Sequence, residues 1–170
     1  MAKWTLDPAH AEVGFKVKHL MINNVKGTFK TFTVDVETAA DDFKDAKIHF
    51  TADIASINTG NEQRDGHLKG ADFFDAEKHP QIIFEATHYA GDKLEGNLTI
   101  ASTTKPVTLH VIFGGITKDP WGNTKAGFEV TGKINRKDFG IGWNAPLETG
   151  GVVVGEEVTI TAEIELAKQA

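Results

Sequence analysis

The chain has 170 residues, contains no cysteine and carries a net charge of −6 at pH 7. Because cysteine is absent, disulfides, thiolate metal sites and thiol catalysis are excluded. The lysines are dispersed among carboxylates, whereas nucleic-acid binding relies on clustered positive charge, so we expect no nucleic-acid partner.

The length suits one domain, residues 1–170. The first seven residues enter strand-like sequence at once, with no apolar h-region or small-residue cleavage site. We therefore expect a cytoplasmic protein if Met1 is the native start, and a periplasmic one if a leader has been removed. No apolar run approaches the roughly 18 residues of a membrane-spanning helix, so we expect contact only with extracted lipid or with membrane surfaces.

The first strands alternate apolar and polar residues. Val13, Phe15 and Val17 share one parity, which predicts a strand with one buried face. In the next segment the apolar parity changes between residues 25–29 and 32–36. A strand that keeps both sets inside must bend or bulge near residues 30–31.

The later strands alternate more clearly. They are predicted at residues 46–54, 81–87, 94–100, 107–113, 126–134 and 158–166, with turns at 90–92 and 119–123. About eight such strands predict an all-β fold, an eight-stranded antiparallel barrel with helix confined to short inserts. A two-sheet sandwich is the alternative, but closure of the sheet removes unpaired edges.

Residues 56–84 interrupt the strands with a charged insert that also carries Leu68, Phe73 and Phe74. An insert with both a polar side and an apolar plug is typical of a segment that covers an opening. We therefore expect it at the mouth of a cavity.

Several motifs, in order and spacing, resemble the YceI-like, polyisoprenoid-binding family. They are Asp7-Pro8-Ala9-His10, Arg64-Asp65-Gly66-His67-Leu68, Asp72-Phe73-Phe74-Asp75, Pro80-Gln81-Ile82-Ile83-Phe84 and Ile134-Asn135-Arg136-Lys137-Asp138-Phe139-Gly140. The resemblance covers nearly the whole chain, although Ala11 stands where the family usually has serine. It implies a lipocalin-like barrel that holds a long-chain isoprenoid, such as a polyprenyl diphosphate or a quinone tail, commonly as a homodimer.

A lumen of this kind would be lined by the inward-facing apolar residues. The residues predicted to line it are Phe15, Val17, His19, Phe29, Phe50, Ile54, Phe74, Phe84, Leu98, Ile100, Leu109, Val111, Phe113, Phe128, Val130, Ile134, Phe139, Trp143, Ile160 and Ile164. Small inward residues at Gly96, Ala126 and Gly132 are predicted to leave room. Ordinary core packing is the alternative for each of these side chains. One isoprene unit offers about 4 kcal/mol of burial, so the tail supplies affinity unaided.

The predicted head-group ligands are Arg64, Asp65 and His67 on the insert, and Arg136 in a later turn. An arginine clamps a diphosphate with two parallel hydrogen bonds. The alternative is that Arg64 with Asp65, or Arg136 with Asp138, braces a loop.

The seven histidines show neither His-x-His nor His-Glu-x-x-His spacing, so we expect no metal and no cofactor. No serine lies in a nucleophile elbow, and we predict a lipid carrier rather than an enzyme. Two alternatives remain open. One is an enzyme acting on an isoprenoid or quinone, if His10, Arg64 and His67 converge. The other is a haem-type carrier with His19 or His67 as axial ligand.

Overall fold

A computed structural model describes residues 1–20, 22–71, 73–141 and 154–169. Within these ranges the strands are β1 Ala2–Leu6, β2 Glu12–His19, β3 Asn23–Phe29, β4 Phe32–Thr38, β5 Lys47–Asp53, β6 Ile57–Asn58, β7 Gln81–Ala90, β8 Lys93–Ile100, β9 Thr103–Lys118, β10 Thr124–Asn135 and β11 Val154–Lys168. One α-helix, α1 Glu62–Lys69, and three 3₁₀ turns, Pro8–His10, Ile54–Ser56 and Arg136–Phe139, complete the described elements. The prediction that helix is confined to short inserts is confirmed.

The sheet closes on itself. Strand β1 pairs with β4 on one side and with β11 on the other, so the ring runs β1-β4-β5-β7-β8-β9-β10-β11. Strand β2 follows β1 in the chain and also pairs with β11, next to β1 along the length of β11. Strand β3 then pairs with β2. Every pairing is antiparallel. The eight-stranded antiparallel barrel is therefore confirmed, and the sandwich alternative is wrong.

The predicted bend lies between β3 and β4, where the regular ladder is interrupted at Lys30 and Thr31. The Lys30 N–H donates to the Ser56 carbonyl at 3.1 Å, and the Asp53 N–H donates to the Thr31 carbonyl at 2.9 Å. These bonds hold neighbouring strands together across the break. The bend lets Phe29 and Val34, which differ in parity, both be buried.

Aromatic side chains plug one end of the barrel. Phe43, in the loop between β4 and β5, is 1% exposed, and its ring centroid lies 5.1 Å from that of Trp4. It also meets Phe113 at 5.5 Å and Phe128 at 5.0 Å, both edge-on, while those two rings stack at 4.9 Å. The β7–β8 turn lies at this same end, because the Asp45 N–H donates to the Tyr89 carbonyl at 2.8 Å. We call it the closed end.

The insert lies at the other end. Helix α1 begins after Asn61, whose side-chain oxygen accepts the Arg64 N–H at 3.0 Å, and it ends at Lys69, with Gly70 as its C-cap. The chain then folds back, with the Phe74 N–H donating to the Leu68 carbonyl at 3.0 Å. We call this end the mouth. Among the described residues, no helix combines the length and apolar character that crossing a bilayer requires.

Candidate functional site

A cavity of about 380 Å³ lies inside the barrel. Its size falls within the range typical of small-molecule sites, roughly 300–1,000 Å³. Most of its wall is aliphatic and aromatic, with contributions from both sides of the ring and from the insert. The apolar lining residues are Val13, Phe15, Val17, Val25, Phe29, Val34, Ile48, Phe50, Ala52, Leu68, Phe73, Phe74, Ile82, Phe84, Leu94, Leu98, Ile100, Val107, Leu109, Val130, Ile134, Ile141, Val154, Val158, Ile160, Ala162 and Ile164.

The polar side chains on the described wall are all basic: Lys18, His19, Arg64, His67 and Arg136. They come from three elements at the mouth, namely the end of β2, helix α1 and the 3₁₀ turn after β10. No carboxylate side chain of the described residues borders the cavity. The cavity is thus apolar along its depth and positively charged where it opens.

Arg64 is held against the loop that precedes α1. Its Nε–H donates to the Thr59 hydroxyl at 2.8 Å, and one Nη2–H donates to the Thr59 carbonyl at 2.7 Å. The Asp65 carboxylate accepts the Thr59 N–H at 2.9 Å and the Thr59 hydroxyl at 2.5 Å. Arg64 still borders the cavity, whereas Asp65 does not. Asp65 therefore braces the loop, because its oxygens face Thr59; its role as a head-group ligand stays a prediction.

Arg136 is 5% exposed. Its guanidinium donates to main-chain carbonyls that include those of Gly155 at 2.8 Å, Ile141 at 2.8 Å and Val154 at 3.2 Å. Burial lowers the pKa of Arg136, and the nearby Glu156 carboxylate acts in the opposite direction. Arg136 therefore joins the 3₁₀ turn to the start of β11 and also places positive charge on the cavity wall.

Aromatic rings connect the insert to the barrel wall. Phe74 meets Phe29 edge-on at 6.4 Å, and Phe29 meets Phe15 at 5.8 Å. The His67 ring lies edge-on to Phe73 at 5.0 Å. The insert thus covers part of the opening with apolar rings, as its composition predicted. Both axial-ligand candidates of the haem alternative, His19 and His67, are exposed at the mouth.

His10 lies elsewhere, on the outer surface toward the other end of β11. Its Nδ1 is 3.0 Å from an Asp7 oxygen and 3.3 Å from a Glu165 oxygen. The hydrogen bond to Asp7 raises the pKa of His10, and the bond from Lys125 at 2.7 Å is the largest of the effects that lower the pKa of Asp7. Asp7, His10 and Glu165 offer ligand atoms within 4.8 Å of one another, but the Lys125 ammonium already binds Asp7. His10 does not converge with Arg64 and His67.

The model of the YceI-like domain matches residues 4–166 of the chain. A UPF0312 protein of Staphylococcus aureus is 43% identical over 168 residues, which is 98% of this chain and 98% of that protein. The chain belongs to the YceI-like family. Among solved structures, a Campylobacter jejuni YCEI protein is 37% identical with a TM-score of 0.76, covering 97% of both chains. A polyisoprenoid binding domain from Saccharophagus degradans shares the YceI-like fold at 12% identity, with a TM-score of 0.72 over 98% of both chains.

Part of the predicted lumen lines the cavity of this YceI-like barrel. These residues are Phe15, Val17, His19, Phe29, Phe50, Phe74, Phe84, Leu98, Ile100, Leu109, Val130, Ile134, Ile160 and Ile164. Arg64, His67 and Arg136 of the predicted head-group set also border it. Their contact with a ligand stays a prediction. Trp143 lies outside the described residues.

Five predicted lumen residues lie off the cavity wall: Ile54, Val111, Phe113, Phe128 and Phe139. Phe113 and Phe128 pack in the plug around Phe43. Ile54 is fully buried, and Phe139 is buried in the 3₁₀ turn. Parity predicts whether a side chain points inward, but it does not predict how far along the barrel axis the space is filled.

The inward glycines do not leave empty space. A Cβ at Gly96 would lie 2.4 Å from the Phe84 ring, and one at Gly132 would lie 2.4 Å from a Leu109 methyl. Ala126, the third small position, is buried in the core. The prediction that the two glycines make room for a ligand is therefore wrong, because neighbouring side chains fill that room.

The sequence-based prediction missed other wall residues. Those with recognisable inward parity are Val13, Val34, Ile48, Ala52, Leu94, Val107, Val158 and Ala162. Their signal is the same alternation that identified their neighbours. Lys18 has the outward parity of β2, so the alternation gave no signal that it borders the cavity.

Proposed function

We propose that this YceI-like barrel binds one long-chain isoprenoid lipid, with the tail in the cavity and the head group at the mouth. The whole chain acts as one domain that stores or carries the lipid without changing it chemically. The proposal rests on one observation: the cavity is lined by apolar side chains deep in the barrel and by basic side chains at its mouth. The polyisoprenoid binding described for the Saccharophagus degradans domain supports it.

The apolar wall accounts for affinity. Burying a methylene is worth about 0.8 kcal/mol, so a few isoprene units supply the free energy of tight binding. Among the described residues, the deep wall offers no side-chain acceptor for a polar tail, because its side chains are aliphatic or aromatic. An isoprenoid chain suits it, since its carbons are branched and uncharged.

The mouth accounts for the choice of head group. Lys18, Arg64 and Arg136 place three cations there without a carboxylate on the described wall. Positive charge of this kind favours an anionic head, and arginine suits a diphosphate in particular. We therefore propose a polyprenyl diphosphate in preference to an isoprenoid quinone, whose head is neutral.

A homodimer and the cellular compartment stay predictions. Exposed apolar side chains at Ile112 and Ile116 on β9 offer a surface for a second copy. Sedimentation of the wild type and of Ile112→Lys tests this surface. We expect the wild type to sediment as a dimer and Ile112→Lys to sediment as a monomer. A wild type that sediments as a monomer would contradict the proposed dimer.

The head-group proposal is tested by calorimetric titration with a polyprenyl diphosphate and with the polyprenol of the same length. We expect the diphosphate to bind more tightly, and Arg64→Gln to reduce that difference about tenfold through the loss of one charge-assisted contact.

Asp65→Asn is the matched control, because it also weakens the contacts with Thr59 but does not border the cavity. It should retain the preference for diphosphate. Equal losses in both variants would assign Arg64 to loop bracing alone, and equal binding of diphosphate and polyprenol by the wild type would contradict an anionic head group.

A further inference from the structure

The hairpin formed by β2 and β3 differs in charge from the rest of the chain. Residues 13–34 contain four lysines and neither aspartate nor glutamate, although the chain as a whole has 24 acidic and 18 basic residues. Lysines that are dispersed overall are therefore concentrated in this segment. Such a local excess indicates an anionic partner.

The lysines of the hairpin have no ion pairs within the described part of the chain. Lys16 and Lys26 lie directly opposite each other in the β2–β3 ladder, and both are exposed. Like charges in this position destabilise a sheet. Nearby lysines of other elements are paired, since Lys133 meets Glu157 at 3.7 Å and Lys137 meets Glu156 at 2.8 Å. Since no carboxylate of the described residues pairs with these lysines, an external anion would relieve the repulsion in the hairpin.

The tip of the hairpin is apolar and lies at the mouth. Ile22 is 82% exposed and Leu20 is 38% exposed. The neighbouring residues Lys18 and His19 border the cavity opening. Basic strands with an exposed apolar tip have the composition of membrane-surface segments, in which lysines face lipid head groups and apolar side chains enter the interface.

A row of acidic residues crosses β10, β11 and β2 further from the mouth. On neighbouring strands, Glu163 of β11 lies opposite Glu129 of β10 on one side and opposite Glu12 of β2 on the other. All three are exposed. Glu12 and Lys16 are four positions apart along β2, roughly 13 Å of strand, which exceeds the Debye length at physiological salt. On this face of the barrel, the lysines of the hairpin thus lie toward the mouth and the acidic row lies beyond them.

We propose that the β2–β3 hairpin docks on the anionic surface of a lipid bilayer and turns the mouth of the barrel toward it. This inference rests on the proposed function, because docking would place the opening where an isoprenoid lipid leaves or enters the membrane. The acidic row fixes the orientation, since an anionic surface repels it. Glu156 and Glu157 do not oppose docking, because Lys137 and Lys133 neutralise them.

The test is flotation of the purified protein with vesicles of phosphatidylcholine, alone or mixed with phosphatidylglycerol. We expect binding to the mixed vesicles, weakened by added salt. Lys16→Gln with Lys26→Gln should reduce the partition coefficient about tenfold or more. Ile22→Ser should reduce it less, and none of these three residues borders the cavity.

The matched controls lie at the closed end, where Lys93 and Lys118 are exposed and Trp121 is 83% exposed. Lys93→Gln with Lys118→Gln, and Trp121→Ser, should bind vesicles as the wild type does. Docking by the hairpin is overturned if the wild type does not float with the mixed vesicles, or if Lys16→Gln with Lys26→Gln floats as the wild type does. It is also overturned if the hairpin lysines bind duplex DNA or RNA and not vesicles.

Extraction and mass spectrometry of the same preparations separate the two proposals. Hairpin variants that retain a bound lipid but fail to float would support docking. A wild type without lipid whose flotation still depends on Lys16 and Lys26 would contradict the proposed function and leave the docking surface standing.

Discussion

Arg136 is a buried cation whose guanidinium binds the carbonyl groups of Ile141, Val154 and Gly155, among others, at the mouth. Replacing it with methionine leaves those carbonyls without their donor, so we expect the free energy of unfolding to fall by about 3 kcal/mol. Arg136→Lys should recover little, because one ammonium cannot reproduce the planar fork. Urea denaturation measures both.

Lys137→Met is the control for Arg136. Lys137 is half-exposed and its ion pair with Glu156 lies at the surface, so its loss should cost at most about 1 kcal/mol. Equal losses at the two positions would contradict the role of Arg136 as a brace.

Side chains of neighbouring residues fill the space beside the inward-facing glycines Gly96 and Gly132. At Gly96 a new Cβ would lie 2.4 Å from the Phe84 ring and 2.5 Å from the Glu85 carbonyl oxygen. Because the backbone must shift, Gly96→Ala should destabilise the protein by about 1–3 kcal/mol in thermal or urea unfolding. At Gly66, in α1, a Cβ meets nothing within 4 Å. Gly66→Ala should therefore be neutral or stabilising; a loss there as large as at Gly96 would contradict the steric explanation.

His10 is expected to titrate above the ordinary histidine pKa near 6.5, because Asp7 and Glu165 stabilise its protonated ring. The stabilisation is complete below that ordinary value and disappears as pH rises through the raised pKa. A proton NMR titration should show Asp7→Asn lowering the pKa of His10. Asp138→Asn, at the mouth, should leave it unchanged. A His10 pKa that does not respond to Asp7→Asn would contradict the contact.

At the scale of elements, the loop between β4 and β5 closes the barrel through Phe43. This residue has φ +61°, uncommon for a bulky side chain, and three aromatic neighbours hold it. Phe43→Ala should cost about 3–5 kcal/mol, since the ring is fully buried. Phe73→Ala should reduce the free energy of unfolding by less, because Phe73 at the mouth is only half-buried. The reverse order in urea denaturation would contradict the assignment of the closed end.

The sequence predicted strands better than it predicted the ends of the barrel. A two-residue period identifies β8 and β11 because one face of each strand is buried. Phe43 gave no such signal, since it is a single aromatic residue in a polar loop. The contacts of Asp65 gave no signal for a related reason: the sequence shows that a carboxylate is present, but only the fold shows that it faces Thr59.

At the scale of the whole molecule, the barrel has one plugged end and one basic mouth. The cavity between them explains why a tail would enter in one direction. The position of each charge along the barrel could not be read from the sequence, because alternation distinguishes inside from outside without giving the order of strands around the ring.

The central claim is that the cavity holds an isoprenoid tail. The most direct test is organic extraction of purified protein, with mass spectrometry and stoichiometry, applied to the wild type, Ala162→Phe and Glu163→Phe. Ala162 borders the cavity and Glu163 is exposed next to it, so the same side chain is added inside or outside. We predict near-equimolar long-chain isoprenoid in the wild type and Glu163→Phe, and a strong loss in Ala162→Phe. An empty wild type that also fails to bind added polyprenyl lipid, or equal lipid in all three proteins, would contradict the account.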